Sequence, residues 1–406
     1  MRILQISNPK DLKQIMQEIK VDNYGIKIML PKAISYLVKI NTISCITANI
    51  LKQEMLSLGG DVAVARNALT GKAKETDCLL MGSFSQFNRL KEKLNRQPFG
   101  LDKLAENLSV ALDNYQRDKF ILDLGRYKLN LNRRTHIMGV VNLTPDSFSG
   151  DGLYRISHIA YRISHVIDFV EKMIKDGADI IDIGGESSRP GAKPVSAKEE
   201  LERTIPVIKR LAKIVKVPIS IDTYKPEVAR QALDNGALIV NDIAGLRSLQ
   251  MLKIISKYKA GVIIMHMKGR PYNMQRNPTY KSLIDELIEY LDKAVNRALG
   301  AGIDRDKVII DPGIGFGKTL EHNLEILKYL SEFKILGQPI LVGPSRKSFI
   351  GKILNAQTQE RLFGTLSACV LAAKNGAKIV RVHDVKEVAE ALKVSEAITY
   401  GVRSAT

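Results

Sequence analysis

Two regimes of hydrophobic patterning divide the chain. From residue 136 onward, short apolar runs alternate with stretches in which apolar residues recur at helical spacing. The runs His136–Val141, Ala178–Ile183, Pro218–Ile221, Ala237–Val240, Gly261–Met265, Val308–Ile310, Pro339–Val342 and Ala377–Val382 predict strands. Between and after them, Tyr154–Lys175, Leu201–Ile214, Glu227–Asn235, Leu283–Ala301, Leu320–Phe333, Arg361–Lys374 and Val385–Ile398 predict helices. Strands that alternate with helices in this way form a parallel sheet. About eight strand–helix units in roughly 270 residues match the size of a TIM (β/α)8 barrel.

Residues 1 to 120 follow a different pattern and read as a small α/β domain ahead of the barrel, which takes 121 to 406. Arg2–Ile6, Gly25–Leu30, Ala63–Ala65 and Cys78–Met81 predict strands there, and Lys10–Ile19, Thr47–Leu58 and Phe84–Leu94 predict helices. Pro98-Phe-Gly100 and the polar helix Leu101–Tyr115 make the connection. The region carries no paired acids, no cluster with metal-ligand spacing and no glycine-rich phosphate loop, so its role stays open.

In the barrel region the polar residues collect at one end. The strands finish in turn at Asn142, at Asp182 before Gly184-Gly-Glu-Ser-Ser-Arg-Pro190, at Asp222, at Asn241-Asp242, at His266 and at Asp311. The seventh leads to Ser345-Arg-Lys347, and the eighth carries Arg381 and His383. A single such residue is usually a helix cap. One at every strand marks the C-terminal face, where barrels of this kind place their chemistry. The loop Asp311-Pro-Gly-Ile-Gly-Phe-Gly-Lys-Thr319 invites comparison with a nucleotide phosphate loop. That loop needs four residues between its first Gly and Gly-Lys-Thr, and here only three separate Gly313 from Gly317.

Two groups of side chains suggest a ligand. Asp222, Asn241, Asp311 and Lys347 suit a planar heterocycle: a carboxylate takes two parallel N–H groups, the amide donates and accepts, and the ammonium donates. The plainer alternative is a buried ion pair between Lys347 and an aspartate. Asn142, Arg189, Arg381 and His383 suit an anion, since guanidinium forks match phosphate oxygens. Asn142 adds a neutral oxygen of the kind magnesium takes alongside substrate phosphates and water. His383 alone is as easily a structural histidine.

Composition narrows the classes. The formal charge is +18, but the lysines are dispersed among acids, with no arginine-rich tail and no aromatic nucleic-acid motif. We expect no nucleic acid, and a field that draws in an anionic substrate. No apolar run is long enough for a membrane span. The N-terminus lacks a secretory pattern, and three widely spaced cysteines predict a reducing, cytoplasmic location.

The segments Met138-Gly-Val-Val-Asn-Leu-Thr-Pro-Asp-Ser-Phe-Ser149, Asp182-Ile-Gly-Gly-Glu-Ser-Ser-Arg-Pro-Gly191, Ile221-Asp-Thr-Tyr-Lys-Pro226, Asn241-Asp-Ile243, Asp311-Pro-Gly-Ile-Gly-Phe-Gly-Lys318, Ser345-Arg-Lys-Ser348 and Val380-Arg-Val-His-Asp384 resemble the dihydropteroate synthase family, in that family's order. The likeness spans about residues 136 to 400 and leaves 1 to 120 uncovered. It implies a transferase of folate biosynthesis that joins 6-hydroxymethyl-7,8-dihydropterin pyrophosphate to p-aminobenzoate and releases pyrophosphate. It also implies roles for particular residues. Asp222, Asn241, Met265, Asp311 and Lys347 would hold the pterin. Asn142, Arg189, Arg381 and His383 would hold the diphosphate, with Mg2+ on Asn142. Phe148, Ser188, Arg189, Pro190, Phe316 and Ser345 would line the p-aminobenzoate site. Asp222, Lys347, Arg381 and His383 would carry the catalysis, in a homodimer.

Two positions depart from the family's pattern. Ser188 stands where Thr is usual, which removes a methyl beside p-aminobenzoate or a sulfonamide. Ser149-Gly-Asp-Gly152 stands where Ser-Asp-Gly-Gly is commoner. The rival readings are a pterin-binding methyltransferase acting between methyltetrahydrofolate and a corrinoid, which needs no diphosphate pocket, and a non-catalytic basic scaffold.

Overall fold

The computed structural model describes residues 1–4, 9–98, 100–144, 159–187 and 191–401, without the side chains of 159–162. The chain divides into two compact units, Met1–Asp113 and Asn114–Thr406. The division falls inside a helix rather than at the expected boundary near residue 120.

The first unit contains α1 (Pro9–Glu18), α2 (Asn23–Ala33), β1 (Ser35–Ser44), α3 (Cys45–Ser57), β2 (Asp61–Val64), α4 (Arg66–Leu69), β3 (Glu75–Ser83), α5 (Phe84–Leu94) and most of α6 (Leu101–Gln116). Its strands form an antiparallel sheet in the order β1-β3-β2. Val62, Cys78 and Leu80 on one sheet face pack with Leu51, Met55, Phe87, Leu90 and Leu101 of the helices. Gly25–Leu30, expected as a strand, lies in α2. Asp22 accepts the Gly25 N–H at 2.8 Å and starts a helix there. The sheet position belongs instead to β1, where half-buried Tyr36, Val38 and Ile40 alternate with exposed residues. Residues 1–4 of the expected strand Arg2–Ile6 carry no regular structure, and the rest lies outside the described residues.

The second unit opens with a short hairpin, β4 (Ile121–Asp123) and β5 (Lys128–Asn130). Eight parallel strands follow: β6 (His136–Asn142), β7 (Ile180–Gly184), β8 (Ile219–Asp222), β9 (Ile239–Asp242), β10 (Gly261–Met265), β11 (Val308–Asp311), β12 (Ile340–Val342) and β13 (Ala377–Val382). They close into a barrel, with β13 pairing β6. The helices between and after them are α7 (Ile159–Lys175), α8 (Ala197–Leu211), α9 (Pro226–Asp234), α10 (Leu249–Tyr258), α11 (Leu283–Gly300), α12 (Leu320–Lys328), α13 (Ser348–Leu354), α14 (Leu362–Lys374) and α15 (Val385–Tyr400). The α/β barrel expected from the alternation is therefore present. The expected helix Leu320–Phe333 stops at Lys328 and continues as a 3-10 turn, Leu330–Leu336. No helix among the described residues is long and apolar enough to cross a membrane.

The strand period of two sets what faces inward. Ile137, Val141, Ile181, Ile183, Val240 and Ile264 join the core shared with the helices. Met138, Ile180, Ile239, Ile263, Ile309, Leu341 and Ile379 belong to a separate cluster with Phe120, Leu122, Leu124 and Leu131 around the hairpin. This apolar layer closes the barrel's N-terminal end. Two residues further along the strands, on the same inward side, come Asp182, Asn241, Met265, Asp311 and Arg381.

Candidate active site

The inward step from apolar layer to polar layer brings the strand ends into one cavity mouth. Register places Asn142 beside Gly184, Gly184 beside Asp222, Asp222 beside Asn241, and Met265 beside Asp311. Arg381 lies across the mouth. Its Nε donates to Asp182 Oδ2 at 2.6 Å, and its Nη2 donates to Asp222 Oδ2 at 2.8 Å. Asn241 Nδ2 donates to the same Asp182 oxygen at 3.1 Å, while Asp182 Oδ1 is buried with no hydrogen-bond partner among the described residues.

The glycine-rich loop after β11 is built for close approach. Gly313, Gly315 and Gly317 all have positive φ. A Cβ at Gly313 would lie 2.0 Å from the His266 carbonyl oxygen, and one at Gly317 would lie 2.6 Å from that of Lys268. Only glycine fits there. Asp311 Oδ1 accepts the Gly313 N–H at 2.7 Å. Buried Lys318 ties the loop to β10, with Nζ 3.0 Å from both His266 Nδ1 and the Phe316 carbonyl oxygen. Phe316 packs with Met265, Met267, Met274, Ile243 and Tyr224 in an apolar patch at the mouth. Lys347 Nζ sits 4.1 Å from the centre of the Phe316 ring.

Burial sets the charges. It pushes Asp311 up to about 6 against its Gly313 N–H bond and Lys347. It pushes Asp222 up to about 7, opposed by Arg381 and helped by Asp182. His383 is driven down to about 3 by burial and by Arg381. The imidazole is therefore neutral at pH 7 and serves as a hydrogen-bonding group rather than a third cation. Its Nδ1 lies 3.1 Å from Ser345 Oγ, which also accepts the His383 N–H at 3.3 Å.

Asn142, Asp222, Asn241, Met265, Asp311, Phe316, Ser345, Lys347, Arg381 and His383 thus all lie at the C-terminal strand ends or in the loops that leave them. Phe148, Ser188, Arg189 and Pro190 lie outside the described residues, as does the departure at 149–152. Asp242 turns away and caps its own turn, accepting the N–H groups of Ala244 at 2.7 Å and Leu246 at 3.0 Å. Two residues with a part in the site were given no role from sequence. Asp182 was named as the polar end of its strand, and its place in the site follows from standing two positions after Ile180, as Asp311 does after Ile309. The role of Lys318 depends on β10, more than fifty residues away, and has no local signal.

Such a mouth, with buried carboxylates and an amide on one side and a guanidinium and imidazole on the other, defines a class: a TIM-barrel enzyme that takes a donor-rich planar ring with an anionic tail. The sequence pattern described as Pterin binding enzyme matches residues 138–383. The chain belongs to that family, on the branch of the dihydropteroate synthases. It is 47% identical over 279 residues to the dihydropteroate synthase of Synechocystis sp., covering 68% of this chain and 94% of that one. A crystal structure of Yersinia pestis dihydropteroate synthase with a sulfonamide drug complex superposes with a TM-score of 0.65 at 41% identity, covering 69% of this chain and 99% of that one. The probable bifunctional folylpolyglutamate synthase/dihydropteroate synthase of Halobacterium salinarum is 38% identical over 392 residues, which is 96% of this chain and 46% of that one. That last likeness extends into the first unit.

Proposed function

We infer that the chain condenses 6-hydroxymethyl-7,8-dihydropterin pyrophosphate with p-aminobenzoate, giving 7,8-dihydropteroate and pyrophosphate. The observation that carries this reading is the shared mouth itself: Asp222 and Asn241 on the paired strands β8 and β9, Asp311 on β11 beyond β10, and Arg381 bonded to Asp222, with His383 two residues after Arg381. The two carboxylates and the amide hold the pterin's N–H edge, and Lys347 donates to its acceptor side. Arg381 and His383 receive the diphosphate, the first by charge and the second by hydrogen bonding.

The C–O bond to diphosphate breaks and its electron pair leaves with the anion. Arg381 stabilises that developing charge. The ring methylene becomes cationic beside Asp222 and Asp311. The aromatic amine, neutral at pH 7, attacks the methylene from the side of Phe316, and the ammonium so formed gives its proton to the released diphosphate or to water. Positioning and electrostatics supply the rate, and no nucleophilic side chain is required.

Asn142 fits a magnesium ion as a single neutral oxygen ligand on the rim. Among the described residues no three His, Cys, Asp or Glu side chains gather to hold a metal alone. A metal there would rely on substrate phosphate oxygens and water, as magnesium commonly does. When bound, it would help neutralise the departing diphosphate.

Titration calorimetry with the pterin pyrophosphate tests the reading. Binding should require Mg2+ and weaken at least about tenfold in Arg381→Ala. Tight methyltetrahydrofolate binding that ignores Mg2+ would move the assignment to a methyltransferase.

A homodimer belongs to the same proposal. α14 carries no charge before Lys374 and only two hydroxyl side chains, Thr365 and Ser367, yet Phe363 is 77% exposed. A helix this rich in apolar residues is normally covered. Light scattering that returns the mass of one chain would rule the dimer out.

A further inference from the structure

One buried amine at the mouth takes no part in the chemistry above. Lys318 is 3% exposed, and burial drives its pKa down to about 7. Asp311 favours its charged form and Lys347 opposes it. A methionine of similar length would avoid the cost of desolvating an amine, so packing alone does not account for a lysine there.

Its partners show what it holds. Nζ lies 3.0 Å from His266 Nδ1 and 3.5 Å from the His266 carbonyl oxygen, just after β10, and donates to the Phe316 carbonyl oxygen at 3.0 Å. Burial drives His266 down to about 2, so its imidazole is neutral and Nδ1 accepts from the ammonium. Tyr290 packs edge-on against that imidazole, with ring centres 4.7 Å apart. The Phe316 N–H bonds the Gly313 carbonyl oxygen at 3.1 Å, so Gly313 to Phe316 form one turn, and Lys318 pins that turn to β10. Two charges assigned above to the ring depend on it. The Gly313 N–H donates to Asp311 Oδ1 at 2.7 Å. A Cβ at Gly315 would come within 3.0 Å of Lys347 Cδ, and the Phe316 ring centre lies 4.1 Å from Lys347 Nζ, so the turn supports the lysine along its length. Gln275 and Tyr280 also donate to the Gly315 and Gly317 carbonyl oxygens, but from exposed and half-buried positions where water competes. The Lys318 bonds are buried and are stronger for it.

We propose that Lys318 is a positioning residue for ring binding: by pinning the Gly313–Phe316 turn to His266, it fixes Asp311 and Lys347 in the arrangement a planar ring requires. The proposal rests on the synthase reading for the identity of the ring, and on geometry alone for the tie. Lys318 touches no substrate and acts through Asp311 and Lys347. Its loss therefore weakens the ring site through those two groups, and removing Asp311 first leaves it less to act on.

The test uses Lys318→Met, which keeps the length of the side chain and removes the donor. In titration calorimetry with 6-hydroxymethyl-7,8-dihydropterin pyrophosphate and Mg2+, its Kd should rise at least about tenfold, the scale of a buried hydrogen bond lost from a positioning group. In an Asp311→Asn background the same change should cost less than about threefold, because the group it acts through is already altered. His266→Gln, which keeps an acceptor for the amine, should stay within about threefold of the parent chain, whereas His266→Leu should match Lys318→Met. Amide hydrogen exchange should quicken at 313–316 and not at β8. An unchanged Kd in Lys318→Met, or an equal loss with and without Asp311, would overturn the proposal. If Lys318→Met does not fold, His266→Leu carries the same comparisons. If the parent chain binds no pterin pyrophosphate, the synthase reading falls, and hydrogen exchange still decides the tie: unchanged protection at 313–316 in both Lys318→Met and His266→Leu would sink it.

Discussion

The two ends of the barrel are made by the same strands and could hardly differ more. At the N-terminal end, Met138, Ile180, Ile239, Ile263, Ile309, Leu341 and Ile379 meet the hairpin residues Phe120, Leu122, Leu124 and Leu131 in a dry layer. The fit is close enough that a Cβ at Gly261 would come within 2.8 Å of Leu124. At the C-terminal end, two residues along several of the same strands, Asp182, Asp311 and Arg381 are gathered out of water. One end gains from burial and the other is strained by it. Stability and chemistry are thereby separated along a few ångströms of strand, so damage to one end should leave the other readable.

Substitutions at the two ends can break or sharpen that contrast. The largest effect is expected from Asp311→Ala. Product formation should fall about 100- to 1,000-fold, the scale for losing one charged group of a preorganised site. The denaturation midpoint should not fall. Leu122→Ala should do the reverse. A leucine 1% exposed in a packed layer costs about 2–5 kcal/mol when truncated. Urea unfolding should show that loss while both KM values stay put. A loss of activity at temperatures where Leu122→Ala is folded would mean the two ends are coupled after all.

A smaller effect concerns pH. Asp311 is raised from 3.8 to about 6, so the folded chain keeps a proton there that the unfolded chain releases. Its contribution to stability is greatest below about pH 3.8 and declines as pH rises to about 6, then stays low. Asp311→Asn should therefore gain on the parent chain between about pH 4 and pH 6, by up to about 3 kcal/mol, and keep that gain at higher pH. Urea midpoints taken across this range check it. A difference that does not change with pH would show that Asp311 is ionised throughout.

Much of this was legible in the chain because it is carried by period. The barrel strands are short apolar runs buried on both faces, and their polar ends fall in register, so both architecture and mouth could be read from residues 136 to 383. The hairpin 121–130 could not, since three-residue strands are too short to show alternation. In the first unit, the apolar run Gly25–Leu30 looked like a strand until Asp22 is seen to cap a helix across it. The site's pairings were also hidden. Arg381 was assigned to an anion, and nothing local reveals that Asp182, 199 positions away, holds its Nε. The pairing of Lys225 with Glu186 and Glu200 joins three separate segments, and sequence shows only three ordinary charged residues.

The guanidinium of Arg381 bound to Asp182 and Asp222 has a consequence for how the mouth fills. Before any ligand arrives, it already occupies an oxygen of the carboxylate that a ring would use. On the proposed function, arrival would be a displacement: the ring would take Asp222 from an internal rival, and the rival would be released toward the diphosphate. Measured affinity for the ring alone reports the difference between two partners of one oxygen. A ligand that carries its own phosphates gives the dislodged cation somewhere to go.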